Sequence, residues 1–307
     1  MVQLDYTALD RVAAVLGCQN ETGVPLAPYT TFRIGGPVDR LLTVETVCQL
    51  EGVLQAVKDN SLSLLLLGKG SNLLVGDGGY RGVALRLAGD FKRVELLADG
   101  ITLRAGAGAT LATACTYARE QGLSGLEFAW GIPGSVGGAV YMNAGAYGGE
   151  MKDVVVKASH YDLMEGPGAY QGEALEFAYR HSKYSGSGKA VTFTELRLMP
   201  GDPKMIGEKM EELMARRKDK QPYDMPSAGS TFKRPQGAYA AALIDQCGLR
   251  GRRVGGAQVS EKHTGFIVNT GGATCRDVLA LMEVVQETVL RETGFVLEPE
   301  VRVTGEQ

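Results

Sequence analysis

Apolar and polar positions along the first eighty residues predict a β-α-β unit followed by a Gly-rich loop. Residues 45–60 carry apolar side chains at steps of three and four, the spacing of an amphipathic helix with one buried face. Those apolar positions are Val47, Leu50, Leu54 and Val57. Predicted strands at 38–44 and 62–67 flank the helix, and the glycines of 68–79 come next. A loop of this kind after a buried strand is typical of ligand-binding turns.

From residue 81 onward, short runs of alternating or β-branched residues predict strands that are separated by a few helices. The predicted strands cover 83–87, 101–105, 154–161 and 191–198. Helices are predicted at 111–121, within the charged stretch 200–222, and at 239–247. A longer helix is predicted to begin at Thr274, with Asp277 in the position of a capping box, and to end at Gly294. The pattern indicates a mixed α and β protein.

Composition adds that glycine has a specific use in this chain. Its 42 glycines among 307 residues are about 14% of the chain, roughly twice average usage. Low-complexity sequence does not explain the excess, because 44% of residues are hydrophobic and the glycines cluster in separate loops. At this length a large core and about two domains are expected.

Charge and cysteine usage exclude several classes of function. Lys and Arg number 32 against 35 Asp and Glu, so the net charge of −3 argues against electrostatic binding of nucleic acid. No apolar stretch approaches the ~20 residues of a membrane helix, and no signal peptide is recognisable, so we expect a cytoplasmic protein. Five scattered cysteines and three histidines give no disulfide framework and no metal-ligand spacing.

Two Gly-rich segments are candidate binding loops. The first, GKGSNLL at 68–74, follows a buried strand, where glycines let backbone N–H groups approach an anion such as a pyrophosphate. It has neither the Rossmann spacing nor a Walker lysine, and an ordinary tight loop is the alternative. The second, GIPGSVGGAVYMNAGAYGG at 131–149, contains seven glycines and few charges. There we expect the backbone to contact a large ligand and do not expect close packing alone to explain the glycines.

A third segment, SAGSTFKRP at 227–235, combines hydroxyls with two cations. It lacks a G-x-S-x-G pattern and a histidine partner, so a serine-hydrolase triad is poorly supported. Solvated turn hydroxyls are the alternative for this segment taken alone.

Together these segments resemble the UDP-N-acetylenolpyruvoylglucosamine reductase family. The resemblance runs from about residue 20 to residue 305 in the family's order. It also includes YTTFRIGG at 29–36, YRHS at 179–182 and LEPEVR at 297–302. The chain resembles the shorter type within the family, because little sequence separates Val154 from Arg180.

The resemblance implies an α+β fold with a two-lobed FAD-binding domain of the vanillyl-alcohol-oxidase (PCMH) type and a C-terminal α+β substrate-binding domain. The expected division is residues 1–90 for the first FAD-binding lobe, 91–205 for the second and 206–307 for the substrate-binding domain. It further implies a monomeric flavoenzyme of peptidoglycan precursor synthesis, in which NADPH reduces FAD. Reduced FAD then converts UDP-N-acetylglucosamine enolpyruvate to UDP-N-acetylmuramate.

Three catalytic residues follow from the resemblance. Arg180 of the YR motif would hold the substrate carboxylate through its guanidinium. Ser230, the second serine of SAGS, would donate the proton to a strongly basic carbon. Glu300 would complete the site, and Glu298, on the same face of a predicted closing strand at 295–303, is the alternative.

The resemblance also assigns binding residues. Those for FAD are Arg33, Gly68, Gly70, Ser71, Asn72, Leu73, Gly131, Ile132, Pro133, Gly134, Gly137, Gly138, Asn143, Gly145 and Ala146. Those for the nucleotide-sugar substrate are Lys220, Lys233, Arg234 and Tyr184. No metal is expected. Two other functions remain open at this stage: a flavin oxidase of the same fold, and a non-catalytic protein that binds nucleotide sugars.

Overall fold

The computed structural model describes residues 4–307 and contains both helices and strands, in agreement with the predicted α+β class. The helices are α1 Thr7–Val15, α2 Val47–Asp59, α3 Leu111–Glu120, α4 Val136–Met142, α5 Pro203–Lys220, α6 Ala240–Gln246 and α7 Cys275–Thr293. No helix in this described part of the chain is long and apolar enough to cross a membrane.

Nineteen strands are assigned within residues 4–307, and most are short. They are β1 Gln19–Pro25, β2 Pro37–Val44, β3 Leu64–Leu66, β4 Leu73–Val75, β5 Tyr80–Leu87, β6 Val94–Leu96, β7 Thr102–Gly106, β8 Leu123–Ser124, β9 Gly145–Ala146, β10 Gly149–Glu150, β11 Val155–Asp162, β12 Gly166–Gln171, β13 Ala190–Arg197, β14 Met199–Pro200, β15 Ser227–Ser230, β16 Arg253–Val254, β17 Ala257–Val259, β18 Phe266–Asn269 and β19 Arg302–Thr304.

The chain folds into two compact units that are discontinuous in sequence. Unit 1 comprises residues up to 22 together with 40–69 and 82–216. Unit 2 comprises 23–39, 70–81 and 217–307. The division into residues 1–90, 91–205 and 206–307 stays a prediction.

Unit 1 has two separate hydrophobic cores. One collects the apolar faces of α1 and α2 with buried residues of β2 and β5, including Leu50 and Leu54 of the predicted stripe. The other lies around α3, α4 and a five-stranded antiparallel sheet of order β12-β11-β13-β7-β6. Helix α2 begins at Val47, two residues after the predicted start, because the Thr46 hydroxyl caps it by accepting a hydrogen bond from Gln49 N at 3.2 Å.

Unit 2 packs α6 and α7 around an antiparallel sheet of order β15-β18-β17-β16. The predicted capping box of α7 is present: Thr274 Oγ1 accepts from Asp277 N at 3.0 Å, and the Asp277 carboxylate accepts from Thr274 N. Gly294 ends the helix at φ 76°, a left-handed conformation that glycine adopts without strain.

The predicted closing strand at 295–303 is wrong over most of its length. Only Arg302–Thr304 is a strand, and it pairs in parallel with β4, with Arg302 opposite Leu73. Glu300 and Glu298 therefore precede the strand and do not share one of its faces. The residues before Arg302 form backbone hydrogen bonds with a different segment of unit 2.

Candidate active site

The segment that contains Glu300 pairs with the chain directly after Ser230. Strand β15 ends at Ser230 and pairs antiparallel with β18. Beyond it, Glu300 N donates to the carbonyl of Thr231 at 2.8 Å. Phe232 and Pro299 form an antiparallel bridge. Unit 2 thus brings together two of the three predicted catalytic residues on adjacent backbone segments.

Thr231 organises this junction, although no pattern in the sequence indicated that role. Its side chain is 5% exposed. The Thr231 N–H donates to Gly265 O at 2.8 Å, and its hydroxyl accepts from Ile267 N at 3.0 Å. Its carbonyl accepts from Glu300 N. Thr231 therefore attaches the chain next to Ser230 to both neighbouring segments, which are β18 and the segment that contains Glu300.

Asn72 joins the predicted flavin loop to the same segment. Its side-chain amide donates to the carbonyl of Glu300 at 3.2 Å, and its own carbonyl accepts from Arg302 N at 3.0 Å. Leu73 continues this contact as the first residue of β4. Ser71, the residue before Asn72, is half-buried.

The YTTFRIGG segment is held against the strand that leads to Ser230. The Thr31 hydroxyl donates to Ser227 O at 2.7 Å, and the Asn269 side chain donates to Phe32 O at 3.1 Å. Arg33 follows with an exposed side chain and φ 55°, which is uncommon for a residue other than glycine. A Cβ on Gly70 would collide with the carbonyl of Tyr29, so this position requires glycine.

The predicted substrate cations all belong to unit 2. Lys220 is the exposed last residue of α5. Lys233 Nζ lies 3.1 Å from the Glu298 carboxylate, and the Arg234 guanidinium stacks 4.0 Å above the Tyr239 ring. Glu298, the alternative catalytic acid, is exposed and paired with a lysine in this arrangement.

In unit 1, the second Gly-rich segment presents a surface of backbone and one hydroxyl. Residues 131–134, with Ile132 half-buried and Pro133 exposed, lead to Ser135. The Ser135 hydroxyl caps α4 by accepting from Gly138 N at 3.3 Å. An ideal Cβ on Gly138 would lie 3.2 Å from that hydroxyl, and one on Gly68 would collide with it. Exposed glycines from both predicted loops therefore flank Ser135, an arrangement that suits a phosphate-bearing cofactor.

Other glycines of this segment serve packing. A Cβ on Gly137 would lie 2.7 Å from Ala107 Cβ, and one on Gly149 would lie 2.6 Å from the Phe128 ring. Close packing therefore explains these two glycines, although it does not explain the exposed Gly138. Gly145 and Ala146 form β9, which pairs with β10.

Arg180 stands in a tight turn that is unusual for an arginine. Ala178 and His181 exchange both backbone hydrogen bonds, each 3.1 Å long, with Tyr179 and Arg180 between them. Arg180 is half-buried and has φ 53° at the second central position, where glycine or asparagine is normal. Its conformation costs about 1–2 kcal/mol for a residue with a Cβ, which favours a functional role for the side chain.

Tyr184 lies in a core of unit 1 and not at a surface. Its side chain is completely buried, and its hydroxyl donates to Ala158 O at 2.8 Å and contacts His160 Nδ1 at 3.1 Å. Burial raises the pKa of the Tyr184 hydroxyl and lowers that of His160. The predicted substrate contact of Tyr184 is not supported, because the phenol is occupied within the core.

Across residues 4–307, no group of acidic residues, histidines and cysteines could hold a metal ion. The predicted site residues present backbone amides, hydroxyls, ammonium and guanidinium groups and the Glu300 carboxyl group. Such a set suits an organic cofactor with phosphates and a carboxylate-bearing substrate.

Comparison with known proteins supports a single family. A model of the C-terminal domain of UDP-N-acetylenolpyruvoylglucosamine reductase matches residues 221–304, and a FAD binding domain model matches 38–166. The reductase of Lachnoclostridium phytofermentans is 46% identical over 286 residues, 92% of each chain. The crystal structure of the Thermus caldophilus reductase matches at TM-score 0.78 and 40% identity, covering 93% of this chain and 98% of that one.

A more distant likeness concerns the fold alone. Berberine bridge enzyme from Eschscholzia californica matches at TM-score 0.51 and 17% identity, over 64% of this chain and 44% of that chain. The likeness agrees with the predicted two-lobed flavin fold.

Proposed function

The chain belongs to the UDP-N-acetylenolpyruvoylglucosamine reductase family, and from this we propose that Arg180, Ser230 and Glu300 carry its reaction. The enzyme reduces UDP-N-acetylglucosamine enolpyruvate to UDP-N-acetylmuramate, a peptidoglycan precursor, with FAD as cofactor and NADPH as reductant. When bound, FAD supplies the hydride, taken from NADPH, that adds to the terminal enolpyruvyl carbon.

The roles of the three residues follow from the charge that this addition creates. Negative charge develops on the substrate carbon next to the carboxylate and must be stabilised and then protonated. We assign Arg180 to the carboxylate, where a planar guanidinium makes two parallel hydrogen bonds. Ser230 donates its hydroxyl proton to the anionic carbon, a transfer that is favourable because this carbon is a stronger base than the alkoxide. Glu300 orients the carboxylate system or relays the proton to Ser230.

The observation that carries the proposal is the hydrogen bond of 2.8 Å from Glu300 N to Thr231 O. This bond joins Glu300 to the residue that directly follows Ser230. The two proposed proton-transfer residues therefore lie on adjacent backbone segments, although seventy positions separate them in sequence. The Asn72 contact to Glu300 O adds the flavin loop to the same junction.

The proposal extends to binding and assembly. In unit 1, Gly68 supplies a backbone amide to the FAD phosphates, and Gly138, whose own N–H is taken by the Ser135 hydroxyl, leaves room for them by its missing side chain. In unit 2, Arg33 and residues 70–73 are the further proposed FAD contacts. Lys220, Lys233 and Arg234 bind the UDP diphosphate. We also propose a monomer, and sedimentation velocity tests that state. A cytoplasmic location fits the use of NADPH and a nucleotide sugar.

Anaerobic half-reactions test the catalytic assignment. In Ser230→Ala, NADPH is expected to bleach the flavin at the wild-type rate, whereas the enolpyruvyl substrate no longer reoxidises it at a useful rate. Ser227→Ala is the matched control, because the same strand loses a hydroxyl while the Ser227 carbonyl that Thr31 uses is kept. Survival of both half-reactions in Ser230→Ala would remove Ser230 as the proton donor. If an alcohol reduces the flavin and oxygen then rapidly reoxidises it, the protein is instead an oxidase.

A further inference from the structure

Asn143 lies in the middle of the second Gly-rich segment, but its side chain bonds within the protein. The residue is 1% exposed and caps the C-terminal end of α4 at φ 43°. Its amide N–H groups donate to Glu150 Oε2 at 2.8 Å and to Ala178 O at 3.0 Å, and its oxygen accepts from Lys152 N at 2.9 Å. Both amide hydrogens are therefore committed, and neither is left for a cofactor.

The Ala178 carbonyl is the start of the turn that carries Arg180. The same oxygen accepts from His181 N across the turn. A second attachment lies beyond the turn, where the Ser182 hydroxyl donates to Tyr141 O at 2.9 Å. The turn is thus bound to the end of α4 on both sides of Arg180.

We propose that Asn143 is a positioning residue for Arg180, and this rests on the role of Arg180 proposed above. The amide of Asn143 links the second Gly-rich segment to the turn that carries Arg180. It thereby holds the Arg180 guanidinium at a fixed position relative to that segment. Its partner Glu150 fixes the orientation of the amide, so that an N–H and not the oxygen faces Ala178. A shift of about 1 Å at a substrate-positioning group is enough to cost about a hundredfold in rate.

Asn143→Gly separates the side chain from the backbone conformation, because glycine adopts φ 43° without strain. We expect the rate of flavin reoxidation by the enolpyruvyl substrate to fall about 10- to 100-fold, while reduction by NADPH changes less than about threefold. Ser61→Gly is the control: it relieves another left-handed residue, at φ 50°, at an exposed position.

A double-mutant cycle with Arg180→Ala decides whether Asn143 acts through Arg180. We expect Asn143→Gly to have almost no further effect on reoxidation when Arg180 is already alanine. Effects that multiply would overturn the inference. If Arg180→Ala itself leaves reoxidation unchanged, the proposed role of Arg180 fails, and that result is distinct from multiplying effects.

Hydrogen exchange gives a readout that does not depend on turnover. The His181 amide is expected to exchange at least tenfold faster in Asn143→Gly than in wild type, and at the wild-type rate in Ser61→Gly. Asn143→Asp keeps the size and the acceptor but loses both donated bonds, to Ala178 and to Glu150, and places a second carboxylate beside Glu150. It should speed His181 exchange as Asn143→Gly does, and it is the second variant where the glycine variant folds poorly. Unchanged His181 exchange in both Asn143 variants would refute the proposal.

Discussion

Replacing Thr231 by valine tests whether its hydroxyl holds the junction of unit 2 together. Valine preserves the shape but removes the acceptor for Ile267 N, a bond of 3.0 Å at a side chain that is 5% exposed. A buried N–H that loses its partner costs about 1–3 kcal/mol. We therefore expect the free energy of unfolding of Thr231→Val to fall by about this amount, a factor of roughly 5 to 150 in the folded-to-unfolded ratio.

The assay combines urea unfolding with hydrogen exchange of the Ile267 amide. In Thr231→Val the unfolding midpoint should fall, and Ile267 should lose protection more than its neighbours in β18. Thr231→Ser is the matched control, because it keeps the hydroxyl and loses a methyl group. A loss confined to the serine variant would assign the stability of this position to packing and not to the hydrogen bond. Unchanged Ile267 exchange in the valine variant would refute the hydrogen-bond reasoning.

Three further predictions concern pH, a helix cap and a packed glycine. The hydrogen bond from Lys189 holds the pKa of Asp162 down to about 2. The ionised Asp162 therefore adds about 1–2 kcal/mol to the free energy of unfolding above pH 4, and this stabilisation is lost as the pH falls toward 2. Acid titration of Asp162→Asn should lack this loss. Thr274→Ala should lower stability by about 1 kcal/mol through loss of the α7 cap, with Thr274→Ser unaffected in urea melts. Gly137→Ala should cost about 1–3 kcal/mol, because its Cβ would lie 2.7 Å from Ala107; an unchanged thermal midpoint would contradict this.

Elements whose signals are local were predictable from the sequence. The apolar stripe of α2 repeats at steps of about one turn and is buried at Leu50, Leu54 and Val57, whereas Val47 is exposed. The capping box and terminal glycine of α7 each depend on residues within about one turn. The structure places these elements at Val47–Asp59 and Cys275–Thr293, within two residues of the predictions. The same local patterns indicated a mixture of helices and strands, and the α+β class itself followed from the family resemblance.

Features that depend on pairing between distant segments were not predictable. The apolar pattern of 295–303 resembles a strand, but only Arg302–Thr304 has a strand partner, and the preceding residues pair with Thr231–Lys233 instead. The role of Thr231 depends on three segments that meet only in the folded chain. Likewise, the sequence could not show which glycines serve packing and which leave room for a ligand. Gly137 and Gly138 are neighbours in sequence, and the atoms that an added Cβ would contact distinguish them only in the folded chain.

Left-handed backbone at residues with side chains marks the candidate site independently of any motif. Among residues 4–307, six residues other than glycine have positive φ, and four of them lie in the motifs that carry the family resemblance: Arg33, Asn143, Tyr147 and Arg180. Each such conformation costs about 1–2 kcal/mol and persists only where surrounding contacts impose it. For Asn143 and Arg180 those contacts are the same hydrogen bonds that attach the turn to α4. The strain at Arg180 is therefore sustained by the backbone contacts that hold its turn, and relieving it with a glycine at Arg180 would stabilise the turn while removing the charge.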